Sequence, residues 1–197
     1  MKRTLILAIA LLGWAALVIQ FDLIMQNRVA SKADTLIRFF SFFTILTNLL
    51  VAAYFSGLAF KFRERLDPRS KWLTPLTINI TIVGLVCQIL LRHTWSPTGL
   101  QMVLDELLHS VIPALVILYW FLYSPKSKPH YRQIAWWILY PLAYLIYILI
   151  RGSHANFYPY PFVNVSTLGL QKVLLNAGSL LNVFVLISAV FIRIRKA

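Results

Sequence analysis

Long apolar runs alternate with short charged clusters along the chain. Six such runs stand out, near residues 5–24, 36–60, 73–91, 104–123, 133–150 and 172–192. Each is about 18–25 residues, long enough as a helix to cross ~30 Å of hydrocarbon. None alternates apolar and polar positions as barrel strands do. The pattern predicts an all-α membrane protein, a six-transmembrane helix bundle formed by residues 1–197 as a single domain. The first run follows Lys2 and Arg3, as a signal peptide would. It continues to about Ile24 without a small-x-small cleavage site, so an uncleaved first helix is expected.

The clusters between the runs set the expected orientation. Lys2, Arg3, Lys61, Arg63, Arg65, Arg69, Lys71, Lys126, Lys128, Arg132, Arg193, Arg195 and Lys196 fall on one side; Arg28, Lys32, Arg38, Arg92, Arg151 and Lys172 fall on the other. Thirteen against six predicts that both termini face the cytoplasm, as in a bacterial inner-membrane protein. The formal net charge is +13, but its placement between apolar runs suits anionic headgroups and excludes a nucleic-acid partner. Composition agrees: 59% of residues are hydrophobic and 13% charged, against about 45–50% and 25% in soluble domains. Mean hydropathy is +0.73.

Polar residues within the runs are the candidates for chemistry, because hydrocarbon tolerates few of them. In the second run Ser41, Thr44, Thr47 and Asn48 fall at i, i+3, i+6 and i+7, one narrow stripe of a helix. In the third, Thr77, Thr81, Gly84 and Gln88 share a face. In the fourth, His109 follows Asp105 and Glu106 by one turn, so either carboxylate is placed to orient the imidazole. Pro113 frees a backbone carbonyl close by. The sixth run carries Asn176, Ser179 and Asn182. Counted from the same side of the membrane, Thr44 and His109 lie about 12 and 8 Å deep, near enough to share a pocket. The competing reading is that these hydroxyls and amides only tie helices together.

No metal or cofactor is expected. The one cysteine, Cys87, sits in an apolar run and reads as an inert buried thiol. One inward histidine cannot hold haem, and zinc wants three or four ligands. His93 and His154 fall in outer loops and His130 in a basic inner one.

The segment Phe42-Phe43-Thr44-Ile45-Leu46-Thr47-Asn48-Leu49-Leu50-Val51 resembles a signature of the predicted six-transmembrane proteins of bacteria. Leu107-Leu108-His109-Ser110-Val111-Ile112-Pro113 and Tyr158-Pro159-Tyr160-Pro161-Phe162 resemble two further ones, in the same order. That family is related to the animal androgen-induced and androgen-dependent TFPI-regulating proteins, the FAR-17a/AIG-like group. Those are threonine hydrolases of fatty-acid esters of hydroxy fatty acids. The resemblance implies a membrane-embedded hydrolase acting on a lipid or fatty-acyl ester, with Thr44 as nucleophile and His109 as base. Asp105 or Glu106 would orient the base. Asn48, Asn176 and Asn182 are candidate oxyanion donors, and Ser41, Thr47, Gln88 and Tyr160 candidate pocket residues. The residues leave two alternatives open. One is a transporter or channel relaying protons or cations through His109; the other is a non-catalytic lipid-binding protein. The oligomeric state is not legible.

Overall fold

The computed structural model describes residues 1–60, 71–94, 96–124 and 129–196. Lys61, Arg63, Arg65, Arg69, Lys126 and Lys128, which weighed in the charge count, lie outside the described residues. Among those described, the ordered elements are all helical, and the chain forms two compact units, Met1–Pro125 and Lys126–Ala197.

In the first unit, α1 (Lys2–Gln26) packs along α3 (Phe43–Ala59), and α4 (Leu73–Val86) packs on both α3 and α6 (Ile112–Tyr123). On α1, Ile6, Ile9, Ala10, Gly13, Ala16 and Leu17 are buried, while Leu7, Leu11, Trp14 and Val18 face outward. Both faces are apolar, which fits a helix solvated by lipid rather than water. Gly13 admits close approach: a Cβ there would lie 3.0 Å from Ala52 Cβ. Such small-residue contacts let membrane helices gain packing that lipid cannot match. Trp14 Nε1 donates to Ser56 Oγ at 3.0 Å across the same seam.

The second apolar run, expected as one segment at 36–60, is interrupted and is not one continuous helix. It divides into α2 (Lys32–Phe39) and α3, bent by 71°. Ser31 caps α2 by accepting from Asp34 N at 3.1 Å. At the other end Ser41 Oγ donates to Ile37 O at 2.7 Å, a local bond that competes with helix continuation, and Phe42 is extended. Phe39 is buried, with edge-on contacts to Phe21 and Phe40. Aromatic packing and a serine back-bond thus hold the bend.

Two other helices change pitch. α4 ends in a π-helical turn, Cys87–Leu91, where Arg92 N donates to Cys87 O at 2.8 Å. α5 (Gly99–Glu106) runs through a second π-helical turn, Leu107–Val111, into α6. Pro113 explains the second, since it has no N–H for the carbonyl of His109. Gly84 packs on that carbonyl, and a Cβ there would lie 3.0 Å from His109 O. π-Turns often mark functional sites.

The second unit holds α7 (Ile134–Trp137), α8 (Leu139–Ala155), α9 (Val165–Leu168) and α10 (Leu170–Lys196). Asn156 ends α8 in the left-handed conformation, with φ 47°. The following loop is pinned by Arg151, whose guanidinium lies 5.0 Å from the Phe157 ring centroid. The Tyr158 ring fills the space where a Cβ of Gly152 would stand.

Among the described residues, five helical stretches are long and apolar enough to cross a membrane: Lys2–Gln26, Leu73–Leu91, Gly99–Tyr123, Tyr131–Ala155 and Leu170–Arg195. The number is six if the bent pair α2–α3 counts as one span. Multi-pass membrane character follows from these lengths.

Candidate functional site

Thr44 stands in the first turn of α3, directly after the 71° bend. Its Oγ1 lies 3.2 Å from Nε2 of His109, in the π-turn between α5 and α6. Thr44 is buried at 8% exposure, and the His109 side chain retains 15%. The opposite ring nitrogen, Nδ1, faces two oxygens of Asp105: the backbone carbonyl at 3.0 Å and Oδ1 at 3.2 Å. Both are acceptors when the carboxylate is ionised, so Nδ1 carries the proton of a neutral imidazole. Nε2 then presents its lone pair to the threonine, whose hydroxyl donates to it.

Of the two carboxylates expected to orient the imidazole, Asp105 does so and Glu106 faces elsewhere. Glu106 pairs with Arg92 and accepts from Ser110 Oγ at 2.7 Å, and Ser110 in turn accepts from Gln88 Nε2 at 2.9 Å. The Glu106 carboxylate holds the Arg92 guanidinium above its ordinary value. Arg92 Nη1 also approaches Asp105 Oδ2 at 3.8 Å, so the two oxygens of Asp105 divide between His109 and Arg92. Gln88, expected in a pocket wall, is exposed at the edge of this polar chain.

Asn48 is fully buried on α3. Its amide donates to Thr44 O at 2.9 Å and to Leu108 O at 3.3 Å. Both amide hydrogens are spent on carbonyls, so Asn48 has none for an oxyanion, the part expected of it. Instead it ties the backbone of the nucleophile candidate to that of Leu108, the residue before the base candidate. Its Oδ1 is buried without a hydrogen-bond donor among the described residues. Thr47 is fully buried one turn along α3. Ser41 is buried too, but at the bend rather than on a continuous stripe. Asn176, Asn182 and Tyr160 belong to the second unit. Asn176 donates to Phe162 O at 3.0 Å, Asn182 is exposed, and Tyr160 stacks on Phe162 with ring centroids 5.3 Å apart.

Sequence reasoning missed Cys87. It is 4% exposed, and its Sγ, one carboxylate oxygen of Asp105 and one ring nitrogen of His109 all lie within 4.8 Å of one another. The thiol is therefore not an isolated core residue. The available signal was the position of Cys87 one turn beyond Gly84, the residue that lets α4 approach His109.

No protein-family model, curated protein or solved structure matches this chain.

Proposed function

We propose that this chain is a membrane-embedded hydrolase that cleaves ester bonds of lipid-like acyl substrates, such as fatty-acid esters of hydroxy fatty acids. Support comes from the Thr44–His109–Asp105 alignment, with 3.2 Å at each join. A threonine hydroxyl is a weak nucleophile until a base within hydrogen-bond reach takes its proton. The order of residue types also agrees with the resemblance to the six-transmembrane and FAR-17a/AIG-like families.

In the proposed reaction Thr44 Oγ1 attacks the ester carbonyl carbon while His109 Nε2 takes the hydroxyl proton. The imidazolium is stabilised by Asp105 through Nδ1–H. The tetrahedral intermediate collapses, and Nε2–H protonates the departing alkoxide. Water then repeats the sequence on the acyl-threonine, releasing the fatty acid and restoring the hydroxyl. The positive end of the α3 dipole lies at the turn bearing Thr44 and favours the negative charge that develops there.

The bent pair counts as one of six spans in this reading, and both termini are cytoplasmic in a bacterial inner membrane. Export of a reporter fused at Thr98 and retention of one fused at Ser124 test that topology. Activity is tested with a fluorophosphonate probe and a fluorogenic acyl ester. Labelling and turnover that vanish in Thr44→Ala support the hydrolase. Unchanged turnover in that variant, or solute transport without labelling, overturns it.

A further inference from the structure

We propose that Cys87, Asp105 and His109 form a divalent-metal site of the zinc type, and that metal held there switches off the Thr44–His109 pair. The second half rests on the hydrolase reading; the first stands without it.

Three features carry the proposal. The donor set is thiol, carboxylate and imidazole, a mixture that suits zinc, and its atoms lie within 4.8 Å of one another. Ligand atoms around tetrahedral zinc lie about 3.3–3.8 Å apart, so the site must contract by about 1 Å. Cys87 and His109 both lie in π-turns rather than regular α-helix, a departure from regular pitch that is frequent at functional sites. Charge agrees as well. A divalent ion with one thiolate and one carboxylate is neutral, the condition for holding it among buried, lipid-solvated helices. Arg92 reaches Asp105 Oδ2 only at 3.8 Å and makes its closer pair with Glu106, so a metal takes Asp105 from a long contact and leaves Arg92 its main partner.

The regulatory consequence follows from which ring nitrogen faces the carboxylate. Nδ1 is the one 3.2 Å from Asp105 Oδ1. Metal at Nδ1 moves the imidazole proton to Nε2, and the Cys87 thiol releases its proton to solvent. Nε2 then bears hydrogen instead of a lone pair, so it can no longer accept the proton of Thr44. The same imidazole thus serves either metal or nucleophile.

The test uses purified full-length protein in detergent, stripped with EDTA and titrated with Co²⁺. The expected result is one equivalent bound, with visible d–d bands and a near-ultraviolet thiolate-to-cobalt charge-transfer band. That band is lost in Cys87→Ser, with helical circular dichroism kept, and retained in Thr44→Ala. Zn²⁺ lowers acyl-ester turnover by more than about 100-fold, the contribution of a lost general base, and EDTA restores it. A missing thiolate band, or one that persists in Cys87→Ser, overturns the metal site. Turnover indifferent to bound Zn²⁺ overturns the switch. A thiolate band with no turnover at any metal level leaves the metal site standing and sinks the hydrolase reading.

Discussion

On α4 the hydroxyls of Thr77 and Thr81 turn back on their own helix, donating to Leu73 O at 2.8 Å and Thr77 O at 2.7 Å. On α3 the hydroxyl of Thr44 meets His109 of a different element at 3.2 Å. All three threonines come from similar polar stripes in apolar runs. The difference lies in where each threonine stands. Thr77 and Thr81 are inside regular helix, where a carbonyl four residues back is always within reach. Thr44 follows a sharp bend and is held against a π-turn by the Asn48 amide. A buried hydroxyl becomes available to chemistry when the local backbone is interrupted and a base is brought alongside.

The largest expected effect tests that contrast directly. Thr44→Ala and His109→Gln should each lower acyl-ester turnover by about 10³-fold or more, since the residues act as a unit. Thr81→Ala, on the other stripe, should stay within about threefold, because it loses only a local bond. Equal losses from both stripes would erase the distinction. Next comes Asp105→Asn, which removes the charge that fixes the imidazole tautomer. It should lower kcat by about 10²-fold or more with KM little changed. A loss confined to KM would point to substrate binding instead. Gly84→Leu should overpack the contact of α4 with His109 O and Pro113, costing about 1–3 kcal/mol in a detergent thermal melt. Its turnover should fall with the displaced π-turn. The smallest effect is expected from Arg92→Gln. The Arg92 and Glu106 side chains are 41% and 40% exposed, so solvent already screens the pair. Turnover should change by less than about threefold.

Some of this was determined by sequence alone. Run lengths and apolar composition fixed helical, multi-pass membrane character, because hydrocarbon forces each spanning segment to satisfy its own backbone. The expected segments at 73–91 and 104–123 lie within helical stretches Leu73–Leu91 and Gly99–Tyr123. Expected depths of about 12 and 8 Å, counted along the two runs from one side, already put Thr44 and His109 in the same neighbourhood. Other features came only from packing. The bend before Thr44 depends on aromatic contacts of Phe39 and on the Ser41 back-bond, and an apolar run gives no periodic sign of either. The choice of Asp105 over Glu106 depends on the π-turn, since both acids lie one turn from His109 on an ideal helix. The grouping of Cys87 with Asp105 and His109 joins residues about twenty positions apart on separate helices. Periodicity assigns a residue to a face of its own helix; which neighbour that face meets is decided by close packing, here by Gly84 against the carbonyl of His109.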